Sequence, residues 1–188
     1  MTTTQQTQIP QYLTGTWTLD PVHSEVGFTV RHLMVSKVRG RFTGFTGTIV
    51  TSEDPLKSSV EASVDVQTIE TGNADRDAHL RSADIFDVEH YPTMSYRSRA
   101  VRWDGDDLVV DGDLTLHGVT REVPLALEVH GFQEHTPFGD ARVGFSATAD
   151  INRSDFGVDF NLPMDDGGVV VGDRVRINLE IEAIRTDA

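Results

Sequence analysis

Apolar and polar side chains alternate with a period of two through most of this chain, the pattern of strands with one face buried. Gly15 to Asp20 sets Trp17 and Leu19 against Thr16 and Thr18, and Asp20-Pro21 breaks the run. From His23 to Arg31, Val26, Phe28 and Val30 share a face. An apolar knot, Leu33-Met34-Val35, reads as one helical turn before a strand-like run from Val38 to Val50. Gly40, Gly44 and Gly47 thin that run, which signals bending or a close backbone approach. After the Glu53-Asp54-Pro55 turn, Val60, Ala62, Val64 and Val66 alternate again.

At Thr71 the period changes. Asn73 is placed to cap a helix whose first turn carries Asp75 and Asp77, the favourable charge for that end. Ala78, Leu80, Ile85 and Phe86 give it a rough apolar side, and Tyr91-Pro92 closes the segment. Strands return at Thr93–Val101, turn at Asp104-Gly105-Asp106 and continue from Leu108 to Leu116, with Asp111-Gly112 expected to bulge. Gly118 separates these from a long run holding Val119, Val123, Leu125, Leu127 and Val129 on one face. Thr136-Pro137-Phe138-Gly139 turns the chain into Val143, Phe145, Ala147, Ala149 and Ile151. A loop-rich stretch from Asn152 to Gly168 precedes the cleanest alternation, Val175, Ile177, Leu179, Ile181 and Ala183 against Arg174, Arg176, Asn178, Glu180 and Glu182.

Eight or nine antiparallel strands on short turns predict an all-β closed barrel, with a sandwich as the other arrangement of the same alternation. Runs of about a dozen residues at ~3.3 Å per residue and a ~40° tilt would make that barrel roughly 30 Å tall. Residues 1–14 read as a mobile polar tail and 15–188 as a single domain.

Composition narrows the function classes. The chain lacks cysteine, which removes disulfides, thiolate metal sites and a Cys nucleophile. Thirty acidic against 16 basic residues give a formal net charge of −14, so the chain as a whole repels nucleic acid. No apolar run approaches the roughly 18 residues of a membrane span. The first sixteen residues carry neither a basic n-region nor an apolar h-region, so a cytoplasmic location is expected. Against the acidic background, Arg31, Lys37, Arg39 and Arg41 fall in a stretch without an acid between Glu25 and Glu53. With Leu33 and Met34 beside them, they suit transient contact with an anionic membrane surface, or equally a solvated strand edge.

Four blocks in order, HSEVGFTVRHLMVSKVRGRFTGFTG, TGNADRDAHLRSADIFDVEHYPTMSY, GDLTLHGVTREVPL and GFSATADINRSDFGV, resemble the YceI-like family. The resemblance runs from Trp17 to about Ile184. It implies an elongated lipocalin-like antiparallel β-barrel of about eight strands, with the Asp75–Asp87 region as a short helical cover. It also implies a lumen that binds a long isoprenoid lipid, either a polyprenyl chain or an isoprenoid quinone, for transport or sequestration. Relatives are often homodimers, and many are exported.

On that resemblance the expected ligand-binding residues are Val26, Phe28, Val30, His32, Met34, Phe42, Val64, Asp77, Leu80, Phe86, Leu125, Leu127, Phe145, Arg153, Ile177 and Leu179. Asp77, His79 and Arg81 could form a polar gate, but most charges of this segment read as a solvated helix face with capping acids and local ion pairs; Asp77, in the RDAHL block, is the exception. Arg153 with Asp155 is read as an ion-pair clamp on the loop after a strand. No cofactor or metal is expected. The competing class is a small-molecule or metal-dependent enzyme in a barrel pocket. Its support is thin: the seven histidines show no HExxH spacing, and neither a GxSxG elbow nor a phosphate loop is present.

Overall fold

The computed structural model describes residues 9–165 and 167–187. Twelve strands form one sheet that closes on itself. They are β1 (Gly15–Leu19), β2 (Glu25–His32), β3 (Ser36–Phe42), β4 (Phe45–Thr51), β5 (Ser59–Asp65), β6 (Ile69–Glu70), β7 (Thr93–Asp104), β8 (Asp107–Leu116), β9 (Val119–Glu122), β10 (Leu125–Gln133), β11 (Arg142–Asn152) and β12 (Val171–Arg185). Helix α1 (Ala74–Arg81) lies between β6 and β7.

The twelve reduce to eight staves, because four pairs are single strands broken midway. β1 and β2 both lie along β12, and β4 and β3 lie along them in turn. β5 and β6 continue the next stave, and β9 with β10 flank β8. All pairings are antiparallel, and β1 against β12 closes the ring. The result is the all-β barrel that the alternation predicts, an up-and-down meander without a free edge along the seam.

Each break has a polar stitch. At Asp20–Ser24 the Asp20 amide and the Ser24 hydroxyl both donate to the Glu182 carbonyl, and the Glu182 amide returns to Ser24 Oγ. At Thr43-Gly44 both amides donate to Thr68, which sits in the break of the neighbouring stave. Pro124, which has no N–H for a ladder, divides β9 from β10.

Both termini of the barrel's chain, the Pro55–Lys57 turn and the 134–141 turn lie at one end. Residues 9–14, expected to be tail, fold across that end. Tyr12 donates to the Ser52 carbonyl at one wall and meets Phe132 edge-on from the opposite wall. Ile9 and Leu13 also pack on the core. The first eight residues of the expected tail lie outside the described residues.

The other end carries the 33–35 turn, α1 and the 82–92 segment, the His117-Gly118 turn and the 153–170 loop. The Leu33-Met34-Val35 knot is not a helical turn. It is a hairpin turn with Leu33 and Met34 both left-handed, at φ 50° and 57°, closed by the Val35 amide on the His32 carbonyl. The expected bulge near Gly112 sits on the partner strand instead, where the register slips between Ser98 and Ala100. Asn73 caps α1 as predicted, accepting from the Arg76 amide, but the helix ends at Arg81 and residues to Asp87 turn irregularly. Among the described residues, no helix is long and apolar enough to cross a membrane.

Candidate functional site

Inward-facing positions of the eight staves do not fill the barrel. They enclose a cavity of about 510 Å³, reaching from Ile9 and Ser58 at the terminal end to His32, Arg153 and Leu162 at the other. The volume falls within the ~300–1,000 Å³ of small-molecule sites. Its wall is almost wholly aliphatic and aromatic; the charged and imidazole groups, His32, Arg76, His79 and Arg153, gather at the α1 end, while Tyr12, Thr51, Ser58 and Ser59 bring hydroxyls to the terminal end.

Glycine keeps the lumen open at two places. Gly40 is the cross-strand partner of Phe28 on the inward face, and the Phe28 ring packs against it. A Cβ on Gly40 would sit 2.2 Å from Phe28 Cζ, far inside contact distance. Gly47 makes the same allowance for Leu19, with a Cβ falling 2.7 Å from Leu19 Cδ1. The close approach read from these glycines is therefore between a neighbouring side chain and backbone, the Phe28 ring at Gly40 and Leu19 at Gly47. Gly44 instead marks the kink.

Tyr96 crosses the lumen wall and donates to the Val110 and Val123 carbonyls. Burial pushes its phenol well above the ordinary range, so it stays a neutral donor. It fits only because Gly112 has no side chain there.

Among the expected ligand-binding residues, Val26, Phe28, Val30, His32, Phe42, Val64, Leu80, Phe86, Leu125, Leu127, Phe145, Arg153, Ile177 and Leu179 all line the cavity. Two do not. Met34 stands outside on the exposed turn, 57% accessible. Asp77 is buried and turned away, its carboxylate accepting from the amide and hydroxyl of Thr71. That bond fixes the chain leading into α1. Of the three, His79 stands at the mouth: its ring meets Phe160 edge-on at 5.0 Å, joining α1 to the 153–170 loop. Arg81 is spent on the carbonyls of Gln67 and Ile69, which tie α1 to the barrel wall.

Arg153 is a clamp, though not through Asp155. Its guanidinium donates to the carbonyls of Val158, Phe160, Val171 and Gly172, pinning both ends of the loop that roofs the mouth. Burial lowers its pKa from the usual value, and Asp173 and Asp159 oppose that shift. A side chain with four carbonyl partners has little donor capacity left for a ligand.

Sequence reasoning missed much of the wall, including Ile49, Val60, Tyr96, Val110, Phe132 and Val175. The signal was present, since Val60 and Val175 continue faces whose other members were picked. Phe160, Leu162 and Val170 carry no periodic signal, because they come from a loop.

At the terminal end, Arg142 donates to Asp140, Asp20 and Glu182. Asp20, buried, also receives His23 Nδ1 at 2.7 Å. Asp20, His23 and Glu182 have metal-ligand spacing. The Arg142 guanidinium already pairs with both carboxylates, so the group reads as an ion-pair clasp over the stave break. His32 and His79 lie at the opposite end of the barrel from His23, and the scattered histidines do not converge.

Comparison with known proteins agrees with this architecture. A model of the YceI-like domain matches residues 17–183. The protein YceI of Escherichia coli O17:K52:H18 is 39% identical over 141 residues, covering 74% of this chain and 73% of that protein. Burkholderia cenocepacia BcnA superposes with a TM-score of 0.71 at 24% identity, over 87% of this chain and 98% of that one. A polyisoprenoid binding domain from Saccharophagus degradans, implicated in plant cell wall breakdown, gives 0.68 at 17% identity, over 93% and 100%.

Proposed function

The chain belongs to the YceI-like family, and from that premise we propose that it binds a long isoprenoid-type lipid, a polyprenyl chain or an isoprenoid quinone, and carries or sequesters it. The observation that carries this reading is the apolar cavity running between the barrel's ends, with its charged and imidazole groups at the α1 end alone. A lipid with a branched tail and a small polar head matches that polarity gradient. The fold shared with a polyisoprenoid binding domain supports the choice of lipid class.

Magnitudes set what such a lumen accomplishes. Each CH₂ removed from water is worth ~0.8 kcal/mol, so a tail of about twenty carbons grosses roughly 16 kcal/mol. That approaches the practical limit of about −18 to −21 kcal/mol for non-covalent binding. Ordering the tail and docking it consume a large share. The bilayer offers the same apolar transfer, so the lumen makes a lipid soluble and gains little over the membrane by hydrophobicity alone. Discrimination falls to shape, where Gly40, Gly47 and Ala62 alternate with Phe28, Phe42 and Phe86, and to the polar mouth.

Native mass spectrometry of protein purified without detergent tests this. The expected spectrum shows an adduct of several hundred daltons that organic extraction identifies as isoprenoid. A protein that stays unliganded after incubation with polyprenol and with an isoprenoid quinone would overturn the proposal. Stoichiometric metal without lipid would favour the enzyme alternative.

A further inference from the structure

The cavity's α1 end is ringed by apolar side chains that face solvent. On the β2–β3 turn Leu33 is 38% accessible, Met34 57% and Val35 79%. The Leu33 amide donates to the Val170 carbonyl, so this turn abuts the roof loop, where Val169 is 37% and Leu162 55% accessible. Two features make the turn unusual. Its left-handed positions, which ordinarily take Asn or Gly, hold Leu33 and Met34. Directly behind it on the outward face stand Arg31 and its cross-strand partner Lys37, then Arg39 opposite Thr29 and Arg41 opposite Gly27. Arg41 pairs with Glu70, whereas among the described residues Arg31, Lys37 and Arg39 make no ion pair. In a chain of net charge −14, most of whose other arginines are matched by carboxylates or carbonyls, three unmatched cations beside an apolar tip are a local reversal of sign.

We propose that the β2–β3 turn is a membrane-docking tip, which inserts Leu33, Met34 and Val35 into an anionic leaflet while Arg31, Lys37 and Arg39 contact its headgroups. The roof loop carries Asp159 and Asp165, so a flat approach of the whole rim would bring like charges to the surface. The barrel therefore docks tilted, hairpin first, with the tunnel mouth beside the acyl chains. This deepens the carrier reading and rests on it for its purpose, since a lumen that gains little over the bilayer needs a way to reach it. The docking geometry stands on the turn itself.

Salt concentration matters in a particular way. Near 0.1 M the Debye length is ~10 Å, so the cationic patch acts locally. At about 0.01 M it is ~30 Å, and the acidic remainder of the barrel opposes approach.

The test is flotation with phosphatidylcholine vesicles, with and without one-third phosphatidylglycerol, at about 0.1 M salt. The wild type floats with the anionic vesicles and not with the neutral ones. Replacing Arg31, Lys37 and Arg39 by Gln lowers the anionic partition on the order of a hundredfold, at roughly fivefold per cation. The double variant Leu33→Asn, Val35→Ser lowers it by about tenfold or more. Because Asn tolerates the left-handed region, that variant also melts no lower than the wild type, which excludes unfolding as the cause. Equal flotation with both vesicle types, or wild-type flotation by the double variant, would overturn the docking tip.

A dansyl-labelled geranylgeranyl probe titrated without vesicles separates this from the lumen proposal. Probe binding without flotation overturns docking and leaves the carrier reading standing. Flotation without probe binding supports docking and overturns the carrier reading.

Discussion

Gly40 shows how single atoms decide whether this barrel is hollow. The Phe28 ring occupies the space where a Cβ would be, and the alternative for that ring is the lumen. Gly40→Val is expected to push Phe28 inward and weaken a polyprenyl probe by about tenfold, at an overpacking cost of ~1–3 kcal/mol. Adding Phe28→Ala should restore binding, and the non-additive double-mutant cycle, read by probe titration, checks that the two act as one unit. The clasp at the terminal end makes a second residue-level prediction. The hydrogen bond from His23 holds the Asp20 carboxyl below the usual range, Arg142 does the same for Asp140, and Arg176 with Arg174 for Asp150. Folded-state pKa values below the unfolded ones mean stability that is present above about pH 4. It drains as pH falls through the folded values. The melting temperature should therefore fall steeply below about pH 4, and Arg142→Gln should flatten that dependence in thermal scans.

At the level of elements, alternation in the sequence located nearly every strand, and the Asn73 cap with its acidic first turn located α1. The same pattern picked most of the lumen wall, since inward and outward faces follow from parity alone once the sheet closes. What parity cannot show is where a stave breaks and resumes. The stitches at Asp20–Ser24 and Thr43-Gly44 engage residues distant in sequence, the main chain of Glu182 and the carbonyl and hydroxyl of Thr68. Nor does it show turn conformation: an apolar Leu33-Met34 pair lacks the Asn-Gly chemistry of its turn, and so read as helix. Arg153 was legible as a loop clamp, but its partners are backbone carbonyls, not Asp155, and Asp77 turns to Thr71, because a charged group near a mouth is equally suited to pinning backbone. The roof is where that distinction has consequences. Phe160→Ala removes the ring that His79 meets across the mouth and should speed probe dissociation several-fold in stopped-flow exchange with little change in melting. Arg153→Met removes the clamp itself, so hydrogen exchange should rise at residues 158–162 and 171–172 while β10 and β11 stay protected.

Over the whole molecule, the apolar wall is divided between two packed clusters. One is centred on Trp17, Phe42, Phe132 and Phe145, and the other on Val110, Leu125, Phe156 and Val158. The cavity passes between these clusters, so many wall atoms lack a partner on their inner side and forgo dispersion contacts that a solid core would make. Closure of the sheet and the Tyr12 cross-brace hold the wall in place, and a lipid tail bound as proposed would supply the missing contacts. Linkage then fixes the size of the effect. A ligand at a hundred times its Kd stabilises the folded state by about 2.7 kcal/mol, and for a chain of this length each kcal/mol moves the melting temperature by roughly 2–4 °C. Delipidated protein is thus expected to melt about 5–10 °C below the same protein saturated with polyprenol. The Gly40→Val variant, whose affinity is about tenfold weaker, keeps only about 1.4 kcal/mol of that stabilisation at the same lipid concentration, so its lipid-dependent rise should be about half as large. Differential scanning calorimetry of the four samples reads both expectations together. A lipid-dependent rise that survives undiminished in Gly40→Val would place the lipid somewhere other than the passage beside Phe28.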